Sequence, residues 1–410
     1  MKNQTTLTAT ILRAVALLVS LVLIAAACGG SDDASGAGAS DSATGREASD
    51  DTAAPADTSE ADTSNDVAGD ADNEADTEAD SAPAANPDAG NTDACPTIRL
   101  VTHDSFAVSD EVFESFTAQT CIVVEQLAAG DAGQMVSAAI LTKDNPTADV
   151  MYGIDNTFLQ RGLDADLFLP YSTVSLETLD FDLLLDPEFR VTPINYGDVC
   201  ANYWTDALPG EVPTTLDDLV DPANSGQFVT MNPETSSPGM AFLLATIARY
   251  GEDGWQDYWQ QLVDNDVSIT SGWSDAYYGE FIAGGGERSI VMSYASSPPA
   301  DVLFADPPID SPRTGVIFDS CFRQIEFAGI LDGTTNVEAA GRLIDFMTGL
   351  EFQEDIPLNM FVYPANTGAE LPEVFVDFGQ LAESPLTLSP AQIEAGRQAW
   401  TERWVEIVLG

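Results

Sequence analysis

Thr97-Ile98-Arg99-Leu100-Val101-Thr102, Ile122-Val123-Val124-Glu125-Gln126-Leu127 and Ala148-Asp149-Val150-Met151-Tyr152 decide the fold. Each is a short run rich in apolar and β-branched residues, and each is followed by a helix-like segment. Glu111-Val112-Phe113-Glu114-Ser115-Phe116 has helical spacing after the first run. Gly130-Asp131-Ala132-Gly133 starts a helix to about residue 142 after the second, and Gly153-Ile154-Asp155-Asn156 opens another after the third. This alternation predicts an α/β fold with a mostly parallel sheet. Ligands of such sheets lie at the C-terminal strand ends, so Asp104, Asp131 and Asp155 are expected on one rim.

A second series begins near Tyr196, with a strand over 199–203, a capped turn at Thr215 and a strand over 227–231. The loop Asn232-Pro233-Glu234-Thr235-Ser236-Ser237-Pro238-Gly239 then leads into a long helix, with Ser237 as N-cap and Pro238 at N1. Free N–H groups at such a terminus suit an anion. The pattern recurs at Ile290-Val291-Met292-Ser293-Tyr294 followed by Ala295-Ser296-Ser297-Pro298-Pro299. Between the two lies Ser271-Gly272-Trp273-Ser274-Asp275-Ala276-Tyr277-Tyr278. Gly272 permits a sharp turn there, and Ser274 is a good N-cap for a helix starting at Asp275. Aromatic faces beside a carboxylate select a planar cation, although Trp273 and the tyrosines would also serve to cap a core. Two Ser-Ser-Pro loops flanking this corner favour ligand binding.

Residues 318–328 read as a strand returning to the first lobe, and 336–352 as one amphipathic helix with Leu343, Ile344, Phe346 and Met347 inward. Phe361-Val362-Tyr363-Pro364-Ala365-Asn366 is a last rim segment. In the helix over 391–408, Trp400 and Trp404 are packing residues. The expected arrangement is two lobes rather than one continuous sheet. The first is built from 95–195 and the return over 326–410, and the second from 196–325.

Residues 1–28 read as an export signal: Lys2 and Arg13 precede an apolar run that ends in Ala25-Ala26-Ala27-Cys28. The run is too short for a good membrane span. Residues 29–94 hold 18 acidic residues against Arg46 and no aromatic residue, the composition of a disordered, expanded tether. From residue 95 there are 49 acidic and 11 basic residues, a net of about −38. That field opposes nucleic acid and concentrates cations, and adaptation to a salty habitat would produce the same surface. Cys95, Cys121, Cys200 and Cys321 form an even set in an exported chain. Of three possible connectivities we favour Cys95–Cys121, which brackets one strand–helix unit, with Cys200–Cys321. The spacing is unlike a zinc site, and no metal site is expected; His103 is the only histidine.

Thr102-His103-Asp104-Ser105-Phe106, Thr235-Ser236-Ser237-Pro238-Gly239, Gly272-Trp273-Ser274-Asp275-Ala276-Tyr277, Ser293-Tyr294-Ala295-Ser296-Ser297-Pro298 and Tyr363-Pro364-Ala365-Asn366 resemble the thiamine-binding periplasmic proteins of ABC importers. The likeness runs from Ile98 to Trp404 with the blocks in the family's order. It implies a type II periplasmic binding protein fold, two α/β lobes with strands crossing between them. The family's ligand contacts fall on Asp131, Ala132, Ser236, Ser237, Trp273, Tyr294, Ala295, Ser296 and Ser297. Tyr277 and Phe361 add aromatic faces, and Asp104 or Asp131 is placed to accept from the pyrimidine amine. The four serines suit a hydroxyl or phosphate end. Relatives often have Tyr where His103 stands and Trp where Phe361 stands. A charged His103 would oppose a cationic ligand.

The Leu23-Ile24-Ala25-Ala26-Ala27-Cys28 ending likewise resembles a bacterial lipobox, which implies lipidation of Cys28 and a tether to the outer face of the cytoplasmic membrane. The expected role is a monomeric lipoprotein that captures thiamine or its phosphates for an ABC permease and its ATPase. Thiamine is cargo and no cofactor is expected. The alternative is a binding protein of the same fold for ferric iron or a polyamine. No nucleophile–base pair suggests an enzyme.

Overall fold

The computed structural model describes residues 95–410, so the export signal, Cys28 and the acidic tether lie outside the described residues. The first series comprises β1 (Thr97–Thr102), α1 (Asp110–Thr120), β2 (Val123–Ala128), α2 (Ala132–Leu141), β3 (Val150–Asp155) and α3 (Leu159–Asp164). β1 pairs in parallel with β2 and with β3. All of β3 is buried, as a strand covered on both faces must be, whereas β2 is an edge strand that shows Glu125 and Gln126 to solvent.

After β4 (Phe168–Leu169) comes the long β5 (Thr192–Trp204). The second series comprises β6 (Phe228–Met231), α4 (Ser237–Tyr250), α5 (Trp255–Asp264), β7 (Ser268–Thr270), β8 (Ile290–Tyr294) and α6 (Ser297–Phe304). β6 pairs in parallel with β7 and β8. The longer β9 (Thr314–Leu331) then returns, followed by α7 (Val337–Met347), α8 (Leu350–Asn359), β10 (Tyr363–Pro364), α9 (Glu373–Phe378) and α10 (Pro390–Val408).

Strand order is β2-β1-β3-β9-β5-β8-β6-β7. Each flank is parallel within itself, but β9 meets β3 and β5 meets β8 in antiparallel fashion, and β5 and β9 pair antiparallel from Thr192↔Ala328 to Trp204↔Thr314. The two α/β halves with crossing strands are those the resemblance implies. The hydrogen-bonded path is unbroken, however, where separate sheets were expected. The reason is length: β5 has 13 residues and β9 has 18, so each belongs to both halves. Shifts of register at Pro193/Asn195 and Val199/Ala201 interrupt their ladder.

Residues 336–352 form two helices rather than one. α7 stops at Thr348, whose carbonyl accepts from Asn366 Nδ2 at 2.8 Å, and Gly349 is extended ahead of α8. Leu343, Ile344 and Met347 of α7 pack with Ile98, Leu100 and Phe116 in one core, while Phe242, Trp259 and Trp404 belong to another. Disulfides join Cys95 to Cys121 and Cys200 to Cys321, the second linking β5 to β9.

Candidate functional site

A cavity of about 480 Å³ opens between the two series, lined by loops from both and by the middle of β9. Its aromatic wall comes from the Gly272–Trp273 corner. Residues Asp275–Glu280 form a π-type turn there, and Ser274 has helical angles and caps nothing, contrary to the N-cap expected. The wide turn sets Tyr277 under Trp273, stacked at 4.9 Å and 20°, with Tyr294 edge-on to Trp273 at 6.5 Å. The indole Nε1 donates to Ser293 Oγ at 3.1 Å, which fixes the ring while it lines the cavity. Asp275 is exposed and takes the Ser271 hydroxyl at 2.6 Å, so the carboxylate expected beside the ring is not this one.

The carboxylate that does meet this corner is Asp131, from the first series. It caps α2 by accepting from Ala132 N–H at 2.7 Å. It also accepts from Trp273 N–H at 3.0 Å and from Ser237 N–H at 3.3 Å, both of the second series. Asp131 therefore ties the two series together and itself occupies the N-terminus of α4. The expected capping is displaced accordingly: Ser236 stands at the N-cap, Ser237 is the first helical residue, and neither hydroxyl caps. Burial pushes the Asp131 acid up, against the Trp273 N–H and the charge of His103.

Of the residues singled out from sequence, Asp104, Asp131 and Ala132 of the first series and Ser237, Trp273, Tyr277 and Tyr294 of the second line the cavity. Ser296, Ser297 and Phe361 complete the wall. Ser236 and Ala295 are buried behind it and do not line it. The Ser296 hydroxyl donates to the Phe361 carbonyl and the Ser297 hydroxyl pairs with Ser293 Oγ at 3.1 Å, so both are engaged within the protein. Asp155 leaves the expected rim: it is 0% exposed and accepts from Thr157 Oγ1 at 2.7 Å and Gln324 Nε2 at 2.9 Å. Burial raises its pKa to about 6.

Sequence reasoning missed the cavity floor. Gln324 and Glu326 project from β9 into it, two residues apart on one face of the strand and separated by the apolar Ile325. That alternation was the available signal. Glu326 is buried, accepts from Tyr152 O–H at 3.0 Å, and lies 3.3 Å from His103 Nε2. The His103–Glu326 contact is an ion pair without hydrogen-bond alignment, so Nε2 has no hydrogen-bond acceptor. Burial opposes a charged His103, but Glu326, aided by Asp131 and Asp104, outweighs it and raises its pKa. Burial likewise opposes a charged Glu326, but His103 holds that acid below its usual range. Gly153, at φ +99°, makes room for the imidazole: a Cβ there would lie 2.4 Å from His103 Cδ2.

The floor thus offers a buried carboxylate paired with His103, the wall offers aromatic faces, and the pocket is sized for one small molecule. Among the described residues, no group of three or more His, Cys, Asp or Glu is placed to hold a metal ion.

Residues 145–377 match the family described as bacterial extracellular solute-binding protein. The chain is 29% identical over 319 residues to the thiamine-binding periplasmic protein of Escherichia coli, covering 77% of this chain and 94% of that one. It is 28% identical over 315 residues to the thiamine-binding periplasmic protein of Brucella suis, covering 75% and 91%. A solved periplasmic thiamin binding protein superposes with a TM-score of 0.67 at 27% identity, covering 76% of this chain and 96% of that one.

Proposed function

Because the chain belongs to the bacterial extracellular solute-binding protein family, we propose that it captures thiamine or a thiamine phosphate in the cavity and delivers it to an ABC permease and its ATPase. Its fold is that of the type II periplasmic binding proteins. The observation that carries the reading is one cavity that joins the Trp273–Tyr277 stack to the buried carboxylates Glu326 and Asp131. Thiamine presents a flat, permanently charged thiazolium and an aminopyrimidine. Aromatic faces attract such a cation, and a buried carboxylate compensates its charge without the water it loses on entry.

Residues 95–195 and 326–410 act as one lobe, 196–325 as the other, and the ligand stabilises their closed arrangement by contacting both. The chain works as a monomeric binding protein rather than an enzyme. It carries no cofactor and is held outside the cytoplasmic membrane through Cys28. Calorimetric titration with thiamine, ferric iron and spermidine tests the reading. Saturable binding of thiamine and no binding of the other two is expected; tighter binding of iron or spermidine retires it.

A further inference from the structure

We propose that the cavity takes its cationic ligand in exchange for a proton: the ligand's cation replaces the imidazolium of His103 as the counter-charge of Glu326, and His103 gives its proton to the solvent on binding. The inference rests on the thiamine reading and specifies how that site handles charge.

The geometry is that of a preformed ion pair at the bottom of a binding cavity. His103 Nε2 and Glu326 Oε1 are 3.3 Å apart, both side chains are about nine-tenths buried, and both line the cavity. The carboxylate is anchored from behind by Tyr152 O–H, which in turn accepts from Asn195, so Glu326 cannot follow a departing partner. His103 is less tied, because its Nε2 proton has no aligned acceptor. Its surroundings are otherwise acidic or neutral. Asp104 is its chain neighbour, Asp131 faces it from the start of α2, and the Tyr152 ring of β3 lies 5.8 Å away. Tyr152 and Tyr294 stay protonated through the working range, since burial holds both well above the usual phenol value. No Lys or Arg contributes to the His103 balance, and Arg313, the other cation on the cavity wall, is paired with Asp301 at 2.6 Å.

A ligand cation near Glu326 meets an imidazolium a few ångströms away, and like charges at that distance in a buried site are strongly disfavoured. The lower-energy outcome is loss of the His103 proton: protonated protein plus cationic ligand yields neutral-histidine complex plus one proton in the buffer, with charge conserved. The pH dependence follows. Free protein holds the proton to a pH above the ordinary histidine value, so affinity is weakest where His103 is charged. It rises by up to about tenfold per pH unit as pH climbs through that range, then levels once His103 is neutral in the free protein as well. Burial raises the Asp131 pKa as well, and its ionisation as pH climbs favours the cation in the same direction.

The test is calorimetric titration of thiamine into the full chain, repeated at each pH in two buffers that hold that pH, such as phosphate and bis-Tris below neutrality, whose different ionisation heats report protons released. Release approaching one proton per thiamine is expected where His103 is charged in the free protein, falling towards zero as pH rises past the range in which it titrates. 3-Deazathiamine, which has carbon in place of the charged ring nitrogen, should bind without release. His103→Gln should bind thiamine with no proton release and a flat profile over this range. Glu326→Gln, used also if the first variant melts early, should abolish release and weaken thiamine more than deazathiamine. Thiamine binding without release in the native chain, or release that persists in His103→Gln, overturns the exchange and leaves the thiamine reading standing. No thiamine binding at any pH overturns both.

Discussion

Two aromatic clusters in this protein are each centred on a tryptophan and do different work. Trp273 stacks on Tyr277 and meets Tyr294 edge-on, and Trp259 meets Phe242 and Trp404 edge-on at 5.2 and 5.5 Å. The N–H groups of Trp273 and Trp259 are satisfied, by Ser293 at 3.1 Å and by Thr246 at 3.0 Å. The difference lies in what surrounds the rest of the ring. Trp259 is 0% exposed and enclosed by α4, α5 and α10, whereas Trp273 keeps part of its surface towards the cavity. A fully enclosed ring stabilises the fold. A ring with an unfilled neighbour, held by its edge, is a binding surface.

Breaking the core cluster should have the largest effect. Trp259→Ala removes an enclosed ring and should cost about 3–5 kcal/mol of stability by urea or thermal unfolding. The fraction that still folds should bind thiamine as before. A parallel loss of affinity would mean that the two clusters are not separate. Cys200→Ser with Cys321→Ser removes the link between β5 and β9 beneath the cavity wall and should cost roughly 2–4 kcal/mol, read as a lower midpoint in urea. An unchanged midpoint would show that these strands need no covalent tie.

On the cavity side the same kind of change should read out in binding. Trp273→Ala should lose roughly 0.5–2 kcal/mol of cation–π attraction, plus the apolar surface the ligand no longer covers, while melting cooperatively. A destabilised variant with native affinity would move Trp273 into the core class. The smallest effect sharpens the comparison. Ser293→Ala leaves the ring in place but removes the acceptor of its N–H, and about 1 kcal/mol of affinity should go with it. If affinity is untouched, packing by Tyr277 alone orients the indole.

The strands of the first series and the aromatic corner were legible because their signals are local. Period, β-branching and a Gly before a Trp all act over a few residues. Helix ends were less so. Ser237 and Ser274 have the chemistry of N-caps, yet a carboxylate more than a hundred residues away supplies the acceptor at α4, and a π-type turn overrides the helix at Asp275. The floor was harder still: Glu326 is one acid among 67 until β9 is laid beside β3 and β5.

The sequence by itself determined the α/β class, the two series and the blocks that resemble thiamine-binding proteins, since each depends on residue type and short-range spacing, whereas the cysteine pairing was a preference among three that the fold decided. Tertiary structure alone decided which acids meet the ligand space. It buried Asp155 behind the floor, turned Asp275 to solvent, used Asp131 to join the halves, and paired Glu326 with His103. Charge and burial are properties of what surrounds a side chain, and here those surroundings are assembled from strands and loops distant in the chain.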